Sequence, residues 1–142
     1  MKKIFILLFL GAGASAAAQT PFADCFFDKT MRFDYYHAGD SRSEEYFFDA
    51  LKEEPYWAGS KVSLVDTTGY GNQFFRIVDR ASGREIYSRG FCTLFNEWQS
   101  TPEADSVRRS YPESVVFPYP KRPCRIEIFT RNGKGRFEKR FS

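Results

Sequence analysis

The stretch that decides the fold class is Phe74-Phe75-Arg76-Ile77-Val78-Asp79-Arg80-Ala81-Ser82-Gly83-Arg84-Glu85-Ile86-Tyr87-Ser88. Two runs that contain β-branched and aromatic residues flank a five-residue segment, 79–83, which ends in glycine. A segment of this length and composition is typical of a β-hairpin loop. We therefore expect residues 74–78 and 84–88 to pair as antiparallel strands.

On both sides of this hairpin, apolar and polar side chains alternate with the two-residue period of β-strands. Aromatic residues, which pack well on pleated sheets, make up 18% of the chain. Further strands are expected at residues 31–36, 45–51, 61–65, 114–117, 124–128 and 136–141. Residues 91–95 are expected to continue the strand 84–88 after a bulge or bend at Gly90, and Asn132-Gly133-Lys134-Gly135 to form a final hairpin loop. Seven or eight short strands at this spacing predict an all-β fold, a sandwich of two antiparallel sheets.

Interruptions of the strand pattern are of two kinds. Residues 101–109 are the only stretch expected to form a helical turn, with Thr101 as its cap and Pro102 at its first position. Pro118, Pro120 and Pro123 are expected to hold the chain in an extended crossover after residues 114–117.

The N-terminus has the three parts of a secretory signal peptide. Lys2 and Lys3 are followed by a compact apolar run, residues 4–10, and by the small residues Ala16-Ala17-Ala18. The apolar run is shorter than the roughly 20 residues that span a bilayer, so we expect no membrane span. The sequence predicts cleavage after Ala18, a single domain over residues 19–142, and export to the periplasm, the cell surface or the medium.

Charge is nearly balanced over the chain but is uneven along it. Loss of Lys2 and Lys3 would leave 19 basic residues against 18 acidic ones, which argues against a nucleic-acid partner. Residues 23–54 hold nine acids and four bases, whereas residues 121–142 hold eight bases and two acids. This asymmetry either marks a partner surface or, as we favour, places the two segments on neighbouring strands that neutralise each other.

Three cysteines would enter an oxidising compartment. One disulfide among Cys25, Cys92 and Cys124 is compatible with this number, and the sequence does not choose among the three pairings. Cys92 and Cys124 both lie in strand-like runs, so we expect each to be a small buried apolar residue.

Most catalytic chemistries lack their residues in this chain. A catalytic zinc site takes three protein ligands, usually with two histidines, and His37 is the only histidine. His37 would also be the sole base for a cysteine or serine nucleophile, but the residues around it favour a strand end or turn, 36–40. The adjacent acids Glu44 and Glu45 would point to opposite faces of a strand and are expected on a solvated surface. We predict no catalytic residue, metal ion or cofactor.

Exposed aromatic side chains are the remaining candidates for binding. Tyr56, Trp57 and Trp98 could form a platform for a glycan or a protein, because flat apolar rings with a polar edge suit both. Burial of each tryptophan inside the sandwich is the favoured alternative.

Several ordered motifs carry a family resemblance over nearly all of the mature chain. They are Phe22-Ala23-Asp24, residues 28–32, Asp34-Tyr35-Tyr36-His37-Ala38-Gly39-Asp40, Trp57-Ala58-Gly59-Ser60, residues 86–104 and Phe117-Pro118-Tyr119-Pro120. In these motifs the chain resembles the N-terminal domain of the M64 metallopeptidases, the IgA peptidases of Bacteroides-type bacteria. The resemblance implies a secreted β-sandwich placed ahead of a zinc endopeptidase domain with the motif His-Glu-x-x-His, whose ligands have no counterpart positions here.

Two functions follow as expectations. The first is a non-catalytic accessory domain of an exported M64-type metallopeptidase, with the catalytic domain or an extracellular protein or glycan as its partner. The second is an independent secreted β-sandwich that binds a glycan or a protein through Tyr56, Trp57 and Trp98.

Overall fold

The computed structural model describes residues 21–142, which form two antiparallel sheets. The strands are β1 (Phe26–Gly39), β2 (Glu44–Glu54), β3 (Gln73–Asp79), β4 (Glu85–Phe91), β5 (Arg109–Pro120), β6 (Cys124–Arg131) and β7 (Phe137–Phe141). Two short helices, α1 (Phe22–Cys25) and α2 (Leu94–Gln99), and a 3-10 turn over Pro102–Asp105 complete the described chain. The predicted all-β antiparallel sandwich is confirmed; the predicted signal peptide, residues 1–18, lies outside the described residues.

One sheet has three strands in the order β2-β1-β5 and the other has four in the order β4-β3-β6-β7. The hairpin predicted from residues 74–88 is confirmed, because β3 and β4 are antiparallel with Phe75 opposite Arg89 and Ile77 opposite Tyr87. Gly83 closes its loop with φ +68°, a left-handed conformation that glycine adopts without steric cost. The final hairpin between β6 and β7 is confirmed as well.

The core lies between the inner faces of the two sheets and is built largely from aromatic rings. Its buried members are Phe26, Phe33, Tyr35, Leu64, Phe75, Ile77, Ile86, Tyr87, Val115, Phe117 and Ile128. Full burial of such a side chain contributes about 1.5 to 3 kcal/mol. These contacts between the sheets are therefore the main source of stability.

Strand β5 is much longer than the predicted segment 114–117, and it includes Pro112, Pro118 and Pro120. The expected extended crossover at these prolines is therefore wrong for Pro118 and Pro120. The physical reason is position in the sheet. β5 is an edge strand that pairs only with β1. Proline, which lacks a backbone N–H, is tolerated there because no strand lies on the outer side to accept a hydrogen bond.

The strand expected at residues 91–95 ends instead at Phe91, and α2 begins at Leu94. Thr93 caps this helix, because its hydroxyl oxygen accepts a hydrogen bond from the Asn96 backbone N–H. Phe95 and Trp98, three positions apart, then share the buried face of α2. The turn beginning at Pro102 is confirmed, but it is not the only helical segment of the described chain.

The short strand expected at residues 61–65 is absent from the described structure, where these residues form a loop. Leu64 anchors the loop in the core, and its carbonyl accepts a hydrogen bond of 3.0 Å from the Ser88 backbone N–H. One such bond fixes the loop against β4 without forming a ladder.

The acidic and basic segments of the sequence lie in different sheets, so the prediction that they occupy neighbouring strands is wrong. Among the ion pairs of residues 21–142, Arg140 with Glu44 is the one that joins them, at 3.0 Å. The bases of residues 121–142 pair mostly with acids of their own sheet, as Arg125 and Lys139 do with Glu127. No helix of the described residues is long and apolar enough to cross a membrane.

Candidate functional site

His37 lies two residues before the C-terminal end of β1 at Gly39, which confirms the predicted strand end, and its side chain is completely buried. Its two ring nitrogens face two carboxylates. Nε2 is 3.0 Å from Glu44 on β2, and Nδ1 is 3.2 Å from Glu113 on β5. Glu44 is also nearly buried, which corrects the expected solvated position, whereas its neighbour Glu45 points outward as predicted for a strand.

A carboxylate on each side favours the protonated imidazolium, because only that form donates from both nitrogens. Burial by itself would lower the pKa of His37. The hydrogen bonds to Glu113 and Glu44 outweigh burial and raise the pKa above its ordinary value. The reverse holds for Glu44, where burial raises the pKa but the bonds to His37 and Thr130 and the charge of Arg140 leave it below its ordinary value.

Aromatic rings and amides complete the surroundings of His37. Its ring lies between Tyr46, at a centroid distance of 4.2 Å, and Phe95 of α2, at 3.9 Å. The Tyr46 hydroxyl donates to the side-chain oxygen of the fully buried Gln73, 2.8 Å away. We call this region the closed end and define it by His37, Glu44, Tyr46, Gln73 and Glu113.

The closed end can hold a charge, but it offers no open coordination position. Both nitrogens of His37 are occupied and its ring has no exposed surface. A metal ligand or a general base needs a free lone pair directed at a bound group, which His37 lacks. In the described part of the chain, no three histidine, cysteine or carboxylate side chains are grouped so that they could hold a metal ion.

The structure separates the three aromatic residues predicted to bind a partner. Tyr56 is 82% exposed, whereas Trp57 is partly buried against the core and donates its indole N–H to the Ser60 carbonyl. Trp98 is buried beside Phe95 and donates to Glu103 at 2.7 Å. The predicted platform therefore retains Tyr56 and one side of Trp57, and their role in binding stays a prediction.

All three cysteines are free thiols. Cys92 is exposed, which corrects its expected burial, because β4 ends one residue before it. Cys124 is partly buried at the start of β6, and burial raises the pKa of its thiol to about 11. Cys25 is also partly buried, and burial raises the pKa of its thiol as well.

Sequence reasoning missed the partners of His37. Glu113 stands 76 positions further along the chain, so no local pattern connects it to His37. Glu44 is closer in sequence, and its even spacing from Tyr46 and Phe48 was a usable signal that it points inward.

Comparison of the amino-acid sequence with known families identifies a family. The family model described as peptidase M64 N-terminus matches residues 21–142, which is all of the described structure. No curated protein matches the chain. On the strength of the family match, the chain belongs to the M64 peptidase N-terminal family.

Proposed function

We propose that this protein is a non-catalytic accessory domain of an exported M64-type metallopeptidase. The observation that carries the proposal is the family match over residues 21–142, because the matched family is the N-terminal part of these peptidases. We expect a domain of this kind to serve the zinc-containing catalytic domain of the peptidase, by binding it or by presenting a substrate to it.

The position of His37 supports a non-catalytic role. It is the only histidine in the sequence and is held between two carboxylates in the closed end. Use of this side chain in catalysis would break two charge-assisted hydrogen bonds and expose a buried pair of acids, at a cost of several kcal/mol.

Export rests on the sequence before residue 19. The lysines at positions 2 and 3, the apolar run and the three alanines supply the parts that a signal peptidase requires. N-terminal sequencing of the protein secreted by its own cell checks this part of the proposal. A first residue at Gln19 is expected, and retention of Met1 would contradict it.

Binding and activity are tested separately with the purified chain. We expect no hydrolysis of immunoglobulin A and less than one-tenth of an equivalent of zinc by elemental analysis. We further expect measurable binding, by calorimetry, to the catalytic domain of an M64 peptidase that carries His-Glu-x-x-His. Stoichiometric zinc or cleavage by the chain alone would overturn the proposal, and so would failure to bind the catalytic domain.

A second function is favoured by the exposure of Tyr56. Tyr56 is 82% exposed and is followed in the chain by the partly buried Trp57, and an exposed aromatic ring with a polar edge is suited to stacking on a sugar ring. In this case Tyr56→Ala would abolish binding on a glycan array, whereas Tyr70→Ala, at another highly exposed tyrosine, would leave it unchanged.

A further inference from the structure

The core is open at the end of the sandwich opposite His37. A cavity of about 270 Å³ lies between the sheets there, lined by apolar side chains that include Met31, Phe33, Leu51 and Ile126. Leu51 is opposite Phe33 in the β1–β2 ladder, so it faces inward, yet it is 56% exposed. Phe48 is opposite the buried Tyr35 and is 55% exposed. We call this region the open end.

One wall of the cavity is a strand with a free edge. β6 pairs with β3 from Cys124 to Thr130, but β7 pairs with β6 only from Ile128 to Arg131. Residues 124–127 therefore have no ladder partner on the β7 side within the described structure. The cavity and this unpaired edge adjoin, because Cys124 and Ile126 belong to both.

The direction of the backbone groups follows from two hydrogen bonds. The Arg131 N–H donates toward β3, to the Asn72 carbonyl, and the Asn132 N–H donates toward the β7 hairpin, to the Arg136 carbonyl. Since these directions alternate along a strand, the N–H and C=O of Ile126 point to the β7 side. Within residues 21–142 no strand meets them there, because the β6–β7 ladder ends at the pair Ile128 and Phe141.

We propose that the open end binds an extended segment of a partner polypeptide, which adds to β6 in the antiparallel direction in line with β7. Such a segment satisfies the backbone groups of Ile126 and places the side chain opposite Ile126 on the inner face, beside Leu51 and Met31. A large apolar residue at that position fills the cavity. The proposal rests on the accessory role, since it names the surface by which the domain holds its peptidase.

A positive charge lies at the edge of the open end. A segment that runs antiparallel to β6 passes Cys124 and then reaches Arg122, which lines the cavity, is exposed and has no ion-pair partner among residues 21–142. Lys121 next to it is also exposed. The partner segment therefore has alternating apolar residues followed by an acidic residue, which pairs with Arg122.

The probe is the acetylated and amidated peptide Thr-Leu-Thr-Val-Thr-Asp, added to the isotope-labelled full chain. We expect saturable changes in the amide spectrum and at least tenfold slower hydrogen exchange at the Ile126 amide when the peptide is bound. The same peptide with N-methyl leucine is the control, because it keeps the side chains but loses the backbone donor. Equal binding of both peptides, or no protection at Ile126, would overturn the proposal.

Two variants of β2 supply a matched pair. Leu51→Asp places a charge at the mouth of the cavity and is expected to weaken peptide binding at least tenfold. Phe47→Asp changes an equally exposed residue whose ladder partner, Tyr36, is itself exposed on the outer face, and it should leave binding unchanged. Both positions are more than half exposed, so both variants should fold. Equal effects of the two variants would contradict binding of the peptide at the open end.

Other outcomes separate this inference from the proposed function. Protection of Ile126 that rises with the concentration of the chain alone would make a second copy the occupant and would overturn the proposal. If the peptide binds but an M64 catalytic domain does not, the open end is a peptide-binding site and the proposed accessory role is rejected. If Leu51→Asp leaves binding of the catalytic domain unchanged, the open end is not the surface that binds it, and only this inference is rejected.

Discussion

Strand β2 buries polar groups in one half and exposes apolar ones in the other. In the closed end, Glu44 and Tyr46 point inward, where Glu44 pairs with Arg140 of β7 and Tyr46 packs on the ring of His37. In the open end, Phe48 and Leu51 point inward on the same strand and are more than half exposed. Burial along this strand is therefore decided by what lies across the sandwich, and not by the hydrophobicity of the residue.

The largest expected effect comes from breaking the closed end. His37→Ala leaves the carboxylates of Glu44 and Glu113 buried without their shared partner, which should cost about 3 to 5 kcal/mol of unfolding free energy. Leu51→Ala in the open end removes a side chain that is mostly in water, and should cost less than about 1 kcal/mol. Urea denaturation at pH 6 measures both.

Equal losses for these two variants would contradict the comparison. Should His37→Ala not fold, Glu113→Gln provides a milder test, because it keeps the shape of the side chain and removes its charge. It should still cost more than Leu51→Ala, since the Nδ1 contact of His37 loses its anionic acceptor.

A second expected effect is a dependence of stability on pH that originates in the closed end. The folded pKa of His37 is raised, so its contribution is fully present below the unfolded value of about 6.5 and is lost as the pH rises through the folded pKa. The folded pKa of Glu44 is lowered, so its contribution is present above about 4.5 and is lost as the pH falls through the folded pKa. Stability should therefore be highest between these two ranges.

The contribution of His37 can be isolated, because no other histidine occurs in the sequence. The free energy of unfolding, measured from pH 5 to pH 9, should fall by about 1.4 kcal/mol for each unit by which the folded pKa exceeds the unfolded one. His37→Asn should flatten the curve between pH 6.5 and the folded pKa. A ring proton signal that titrates below pH 6.5 in the folded chain would contradict the prediction.

A third effect concerns the helix that covers the closed end. Thr93→Ala removes the cap of α2 and should cost about 1 kcal/mol, because the Asn96 N–H loses its acceptor 3.2 Å away. Thr93→Ser keeps the hydroxyl and should retain most of the stability. A Thr93→Ala variant as stable as the parent would show that packing of Phe95 alone holds the helix in place.

How much of this could be read from the sequence depends on how local the cause is. The β3–β4 hairpin was predictable because its signals lie within fifteen consecutive residues. The extent of β5 was not, because prolines are tolerated there only by virtue of its edge position. The closed end was also not predicted, because the surroundings of His37 include Glu113, which lies in a distant segment of the sequence. Likewise, the exposure of Leu51 depends on how far β7 extends along β6.

The smallest effect is expected at Tyr35, which lies between the two ends. Its ring is 1% exposed and packs 5.7 Å from both Phe33 and Tyr46, but its hydroxyl is buried without a hydrogen-bond partner among the described residues. A buried hydroxyl without a partner loses its hydration on folding and gains nothing in return. Tyr35→Phe should therefore raise the free energy of unfolding, by about 0.5 kcal/mol.

Tyr46→Phe is the matched control, because its hydroxyl donates to Gln73 at 2.8 Å, and its loss should lower stability by about 1 kcal/mol. Opposite signs for two tyrosines that pack against each other would place the boundary of the closed end between them. A loss of stability in Tyr35→Phe would instead show that its hydroxyl is satisfied. The acceptor would then be the carboxylate of Glu113; together with burial, the charge of this carboxylate and hydrogen bonding to it raise the pKa of the Tyr35 hydroxyl. In that case the closed end extends one residue pair further along β1, and the contrast with the open end begins at Phe33.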